Sequence, residues 1–177
     1  MKVLLVYFSF TGNTEKVAFS ILENLQKNGV NCEVFKIEPV LKFKYIFWLF
    51  LSFIPSLPFP IKNLKLLKID NYEAIILGTP KWTFNCPPVT YFIRFLKRVK
   101  FKSSIKIFFF LTYGGFGEDA YIKKLKRKFE KSGFTVYAVE KFRRSEIIKG
   151  AVGERIQKFC LKILTSINPS YPHISET

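Results

Sequence analysis

The chain has almost no histidine. The single one, His173, sits in a polar tail that also holds two prolines. Without a usable imidazole, the Ser-His-Asp type of triad and His-ligated metal sites are both excluded. Cysteine is scarce too. Cys32, Cys86 and Cys160 are odd in number, far apart and never in a C-x-x-C pair, which points to reduced thiols in a cytosolic protein. Acids number 13 against 29 Lys and Arg, a net charge of +16. Such an excess speaks of anionic partners and not of fold. No G-x-G-x-x-G dinucleotide fingerprint occurs. No small-residue cleavage site follows Met1-Lys2, so no signal peptide is expected. Few protein acids and bases remain for chemistry, which makes a bound cofactor attractive.

Apolar residues are abundant. They make up 49% of the chain, and 21 residues are Phe, which implies a packed core and excludes disorder. The length suits one domain, residues 1–177. Val3 to Phe8 reads as a strand covered on both faces. Val17, Ala18, Ile21, Leu22 and Leu25 form one helical stripe ended by Asn28-Gly29. Further strands are predicted at Cys32–Ile37, Ala74–Leu77, Ile105–Leu111 and Phe134–Phe142. Helices are predicted from Pro88, around Ala120–Phe129 and over Val152–Ile167, with a loose tail at 168–177. This alternation predicts an α/β fold with a five-stranded parallel sheet in the order 2-1-3-4-5, sandwiched between helices in three layers.

In such folds ligands bind at the carboxyl ends of the strands. Three unusual loops fall there. The first, Ser9-Phe10-Thr11-Gly12-Asn13-Thr14, runs from a strand into a helix start, where free N–H groups and hydroxyls favour a phosphate. A plain capped turn would use the same residues. The second, Gly78 to Pro88, carries Thr79, Pro80, Trp82, Thr83 and Phe84 and offers a wall for a flat ligand. The third, Thr112-Tyr113-Gly114-Gly115-Phe116-Gly117, lets the backbone come close to a ligand. A phosphate beside a flat ring matches the outline of flavin mononucleotide (FMN).

L-V-Y-F-S-F-T-G-N-T-E-K-V-A-F-S-I, residues 5–21, resembles the FMN-phosphate signature of the flavodoxin family. G-T-P-K-W-T-F-N-C-P-P resembles its second flavin loop and T-Y-G-G-F-G its third. The resemblance covers 1–37 and 70–167. It implies non-covalent FMN, with Ser9, Thr11, Gly12, Asn13 and Thr14 on the phosphate. Thr79, Pro80, Trp82, Thr83 and Phe84 would line one side of the ring, and Thr112, Tyr113, Gly114, Gly115 and Gly117 the other. Tyr113 and Trp82 are the expected stacking partners. The family's electron carriers are typically acidic and this chain is basic, so its reduced, anionic flavin should be favoured by Coulomb attraction.

The basic residues cluster at Arg94–Lys102, Lys123–Lys131 and Lys141–Lys149. An insert at about 40–66 contains a 17-residue uncharged stretch, Tyr45–Ile61, broken by Pro55, Pro58 and Pro60. That is short for a membrane-spanning helix and too apolar for an exposed loop. Three settings are open. Residues 40–62 could lie in an anionic membrane interface with Tyr45 and Trp48 at headgroup depth, form a homodimer contact, or fold against the sheet. The leading functional expectation is a cytoplasmic flavin redox protein, in part peripheral to a membrane. It would pass electrons to a redox partner protein, or act as an NAD(P)H or quinone oxidoreductase. A flavin-free scaffold is the alternative of another class. Nucleic acid is disfavoured, because the aromatics do not interleave with the lysines.

Overall fold

Three runs of apolar residues become the central strands because only a sheet covered on both faces can bury them without loss of backbone hydrogen bonds. The computed structural model describes residues 2–99, 105–168 and 171. Chain order is β1 (Lys2–Tyr7), α1 (Asn13–Lys27), β2 (Asn31–Lys36), α2 (Tyr45–Ser52), β3 (Ala74–Pro80), α3 (Pro87–Arg98), β4 (Lys106–Tyr113), α4 (Glu118–Glu130), β5 (Val136–Arg143), α5 (Arg144–Ile148) and α6 (Gly153–Ile167). All pairings are parallel, and the strand order is β2-β1-β3-β4-β5. The expected topology is therefore the observed one. Lys100, Lys102, His173 and most of the expected loose tail lie outside the described residues.

Alternate side chains of the central strands enter two separate cores. Leu4, Val6, Ile75, Leu77, Phe109 and Leu111 pack with α3 and α4 on one face. Val3, Leu5, Ile76, Phe108 and Phe110 pack with α1 and α6 on the other. The edge strands β2 and β5 are mostly exposed or half-buried, which fits their mixed polar sequence. At Gly78 the ring of Phe110 occupies the space of a side chain. A Cβ there would meet its Cε1 at 2.7 Å.

Two strands are longer than the sequence pattern indicates. β3 runs to Pro80 and β4 to Tyr113, because Thr79↔Leu111 and Pro80↔Thr112 continue the ladder. Thr79, Pro80, Thr112 and Tyr113 are thus strand ends and not loop residues. The fifth strand starts later than expected, at Val136, and its register shifts between Val136 and Ala138, opposite Ile107/Phe108.

The insert closes on itself. Pro39 and Ile61 form an antiparallel bridge at its neck, and the Lys62 amide donates to the Glu38 carbonyl at 2.8 Å. Within it α2 sends Trp48 into the α3/α4-side core, where only 2% of its surface is exposed. Trp48 packs edge-on against Phe59 at 4.8 Å and near Trp82 at 6.1 Å. The expectation that Trp48 sits at headgroup depth is corrected by this burial. An indole that fills a core cavity gains more than one left at the surface. Part of the insert therefore does fold against the sheet. Among the described residues, no helix is long and apolar enough to cross a membrane.

Candidate functional site

The carboxyl ends of β1, β3 and β4 converge on one cleft of about 260 Å³. Its lining includes Thr11, Asn13 and Thr14 after β1, Pro80 and Trp82 at and just after the end of β3, and Thr112, Tyr113, Gly114 and Gly115 at and just after the end of β4. Nine of the sequence-predicted residues are thereby brought together.

The first loop has the character of an anion cradle. Gly12 caps α1 in the left-handed region, φ 84°, with no side-chain cap on the helix. The Phe8 amide donates to the Gly78 carbonyl and the Lys16 amide to the Gly12 carbonyl. Between them, the amides of 9–15 have no main-chain acceptor among the described residues. The Ser9 hydroxyl oxygen is buried, with under 1 Å² exposed, and has no hydrogen-bond partner. A buried orphan hydroxyl is costly, and its position beside unpaired amides is where an anionic oxygen would satisfy both. Thr14 shares a 2.7 Å hydrogen bond with Thr112, which ties the first loop to the end of β4. Asn13 donates to the Thr11 hydroxyl at 3.0 Å.

The acid in the first turn of α1, Glu15, is paired outside the cleft lining. Glu15 accepts from Lys36 at 2.7 Å and from the Tyr7 phenol at 2.6 Å. These two bonds hold its carboxyl below the usual range, while burial pushes the Tyr7 phenol up. The α1 N-terminus is left electropositive.

The cleft walls are aromatic and its charge is positive. Trp82 is held edge-on by Phe8 at 5.4 Å. Tyr113 also lines the cleft, and Lys81 and Arg144 add cations with no carboxylate in the lining. Four lining residues escape the sequence reading: Phe10, Tyr45, Lys81 and Arg144. Arg144 directly follows β5, which neighbours β4, so the predicted strand order already carries the signal for it. Tyr45 arrives from the insert, its ring 5.4 Å from that of Phe10, and no local pattern announces that.

The remaining predicted residues stand outside the lining. The Ser9 hydroxyl is buried and Gly12 caps α1. The fully buried Thr79 bonds the Pro80 carbonyl. Thr83 is turned to Ser52, their hydroxyls 2.7 Å apart. Phe84 is exposed and meets Phe53 at 6.2 Å. Gly117 caps α4 at φ 77°. Thr83 and Phe84 thus serve the contact with the insert and not the cleft.

Thiol and metal chemistry find no support in the arrangement. Cys32, Cys86 and Cys160 are buried free thiols, and burial pushes them up to about 11, 12 and 12. They are protonated at neutral pH and poor nucleophiles. Among the described residues, no group of His, Cys, Asp or Glu could hold a metal ion.

No family model matches the chain. An uncharacterised protein of Archaeoglobus fulgidus is 38% identical over 122 residues, spanning 69% of this chain and 72% of that protein. The two belong to one family. Solved structures extend the likeness. A candidate flavoprotein from Bacteroides uniformis superposes with a TM-score of 0.69 at 20% identity, over 89% of this chain and 96% of that one. A flavodoxin from Streptococcus pneumoniae gives 0.62 at 14% identity, over 94% and 99%. Megasphaera elsdenii flavodoxin gives 0.57 at 21% identity, over 91% and 98%.

The fold is flavodoxin-like.

In this flavodoxin-like chain the cleft lies at the topological switch point, where β1 leads outward to β2 and β3 leads the other way to β4 and β5. Larger depressions exist elsewhere. One of about 390 Å³ lies at the opposite end of the sheet, by Asp70, Glu73 and Lys106. Its lining holds one aromatic, Tyr72, and no α-helix N-terminus, so its size alone does not make it a site.

Proposed function

We propose that the protein is an FMN-dependent redox protein. The observation that carries this is the buried Ser9 hydroxyl without a partner, set among unpaired amides at the start of α1 and beside an aromatic-walled cleft. The flavodoxin-like fold supports it. The 9–14 loop would hold the phosphate of FMN. Trp82 and Tyr113 would flank the ring, and the backbone at Gly114 and Gly115 would approach its edge. Bound flavin supplies electron and hydride transfer, and the chain supplies binding and tuning.

Lys81 and Arg144 set the tuning. Opposite charge near a group favours its anionic form. The reduced flavin is therefore held more firmly here than in an acidic surround, and its potential is raised. A dye-linked titration of the bound flavin checks this. A Lys81→Gln/Arg144→Gln variant that leaves the potential unchanged speaks against it.

The deciding measurement is the visible spectrum of the purified protein and its titration with FMN and with riboflavin. FMN is expected to bind with 1:1 stoichiometry, and riboflavin far more weakly because it lacks the phosphate. A protein that stays colourless and quenches neither flavin overturns the reading and leaves a scaffold role. Anaerobic NADH or NADPH then separates two versions. No bleaching indicates a carrier between redox partners. Rapid bleaching indicates an oxidoreductase. The apolar residues Phe10 and Tyr45 at the cleft favour a quinone-type acceptor for the latter.

A further inference from the structure

Helix α2, Y-I-F-W-L-F-L-S, has no polar face. Trp48 and Ser52 are buried and point inward, while Ile46 and Phe50, one turn apart, are 70% and 69% exposed on the opposite side. Phe53 and Ile54 continue the outward row. A helix apolar all round is normally enclosed on every side. This one is enclosed on one side only. The row meets exposed Phe84 through Phe53, and Tyr45 joins it to Phe10 at the mouth of the cleft. Scattered exposed apolar residues need no explanation, but a contiguous row of this length does.

The charge beside the row has one sign. Residues 39–69 contain five lysines and no acid. Where the row ends, at Ser56, the Arg94 guanidinium donates to the Ser56 carbonyl at 3.0 Å. Arg94 also opens a groove of about 230 Å³ between α3 and α4, lined by Lys97, Lys128 and Lys131 and by the hydroxyl residues Ser56, Thr90 and Ser132. No carboxylate lines this groove. An apolar strip therefore abuts a cationic groove that fits a phosphate.

We propose that this face docks the protein on an anionic lipid bilayer, with Ile46, Phe50, Phe53 and Ile54 among the acyl chains and a headgroup phosphate in the Arg94–Lys131 groove. Interfacial helices bind by just this pair of forces, buried apolar area and attraction to anionic lipid. A second copy is the poorer occupant, since a twofold contact here would set two chains of net charge +16 face to face. A protein partner is poorer too. Interfaces carry about one hydrogen bond per 100–200 Å², and the outward row has no side chain to make one apart from the Tyr45 phenol. The docking itself stands apart from the flavin reading. Only the consequence that the cleft opens toward the bilayer rests on it.

The test is sedimentation of the full chain with vesicles of phosphatidylcholine and phosphatidylglycerol, against phosphatidylcholine alone and against inorganic phosphate in solution. The expected result is pelleting with the anionic vesicles, release by high salt, and little effect of inorganic phosphate. Ile46→Ser/Phe50→Ser should weaken binding on the order of 100-fold. Lys97→Gln/Lys131→Gln should weaken it about fivefold per charge. Circular dichroism confirms the fold of each variant, and quenching of FMN fluorescence reports the flavin site separately. The proposal is overturned if the protein stays in solution, or if pelleting is indifferent to Ile46→Ser/Phe50→Ser. It is equally overturned by a solution dimer that the same pair of changes dissociates.

Discussion

Removal of the Ser9 hydroxyl should act in opposite directions on the free and the loaded protein. In the free chain this oxygen is buried with under 1 Å² exposed and has no partner. An unsatisfied buried polar group costs about 1–3 kcal/mol. Ser9→Ala removes the group with little change of shape, so the free protein should gain about 1 kcal/mol. For a chain of this length that is roughly 2–4 °C in the unfolding midpoint. In the loaded protein the same hydroxyl would donate to a phosphate oxygen. Hydrogen bonds to charged groups contribute about 1.5–3 kcal/mol, so FMN affinity should fall roughly 10- to 150-fold. Riboflavin has no phosphate, and its affinity should be unmoved. Thermal melts with and without FMN, together with fluorescence titrations of both flavins, read all three effects. A free Ser9→Ala protein that melts lower while FMN affinity holds would refute the reasoning, because the hydroxyl would then be a structural group with a partner inside the chain.

Other perturbations test the frame around the site. Trp48→Ala should cost about 3–5 kcal/mol in urea denaturation, as a core aromatic does, and a loss under 1 kcal/mol would return Trp48 to the surface. Gly78→Ala should cost about 1–3 kcal/mol by forcing the Phe110 ring aside, read as a lowered urea midpoint with an unchanged slope. Lys128 is pulled from its ordinary 10.5 down to about 8 by burial, then by Lys124 and Arg94, against a small opposing effect of Cys86. Its folded value lies below its unfolded one, so the unfolded chain binds more protons between pH 8 and 10.5, and stability contributed by this site rises with pH across that window. The unfolding midpoint of the native protein should therefore rise relative to that of Lys128→Met over pH 8–10.5, and a flat difference would show that burial and the neighbouring Lys124 and Arg94 do not hold the Lys128 ammonium below its ordinary value.

The fold was legible because its signals are local and repeated. Val3–Phe8, Ala74–Leu77 and Ile107–Leu111 are unbroken apolar runs, and such runs alternating with striped helices admit few topologies. The 9–14 loop stood out as a candidate anion site for the same reason: Ser9 to Thr14 places its hydroxyls, its glycine and its helix start within six residues. What was not legible depends on contacts between distant parts of the chain. The ends of β3 and β4 are set by each other, through Pro80↔Thr112, and no run of one strand contains that information. Helix α2 defeats periodicity outright, since a segment apolar at every angle does not reveal that Trp48 turns in and Ile46 out. Phe84 looked like part of a ring wall because of its neighbours in sequence, but the insert draws it away to Phe53.

The insert is sewn to the second loop by more than packing. The Phe84 amide donates to the Ser52 carbonyl, the Asn85 side chain to the Leu57 carbonyl and the Phe59 amide to the Pro87 carbonyl, all within 3.1 Å. Close-packed, hydrogen-bonded segments shift as units. A force that tilts α2 is thus delivered along residues 82–87 to the indole beside the cleft. The seam works as a lever, and whatever touches its outer arm is felt at the inner one.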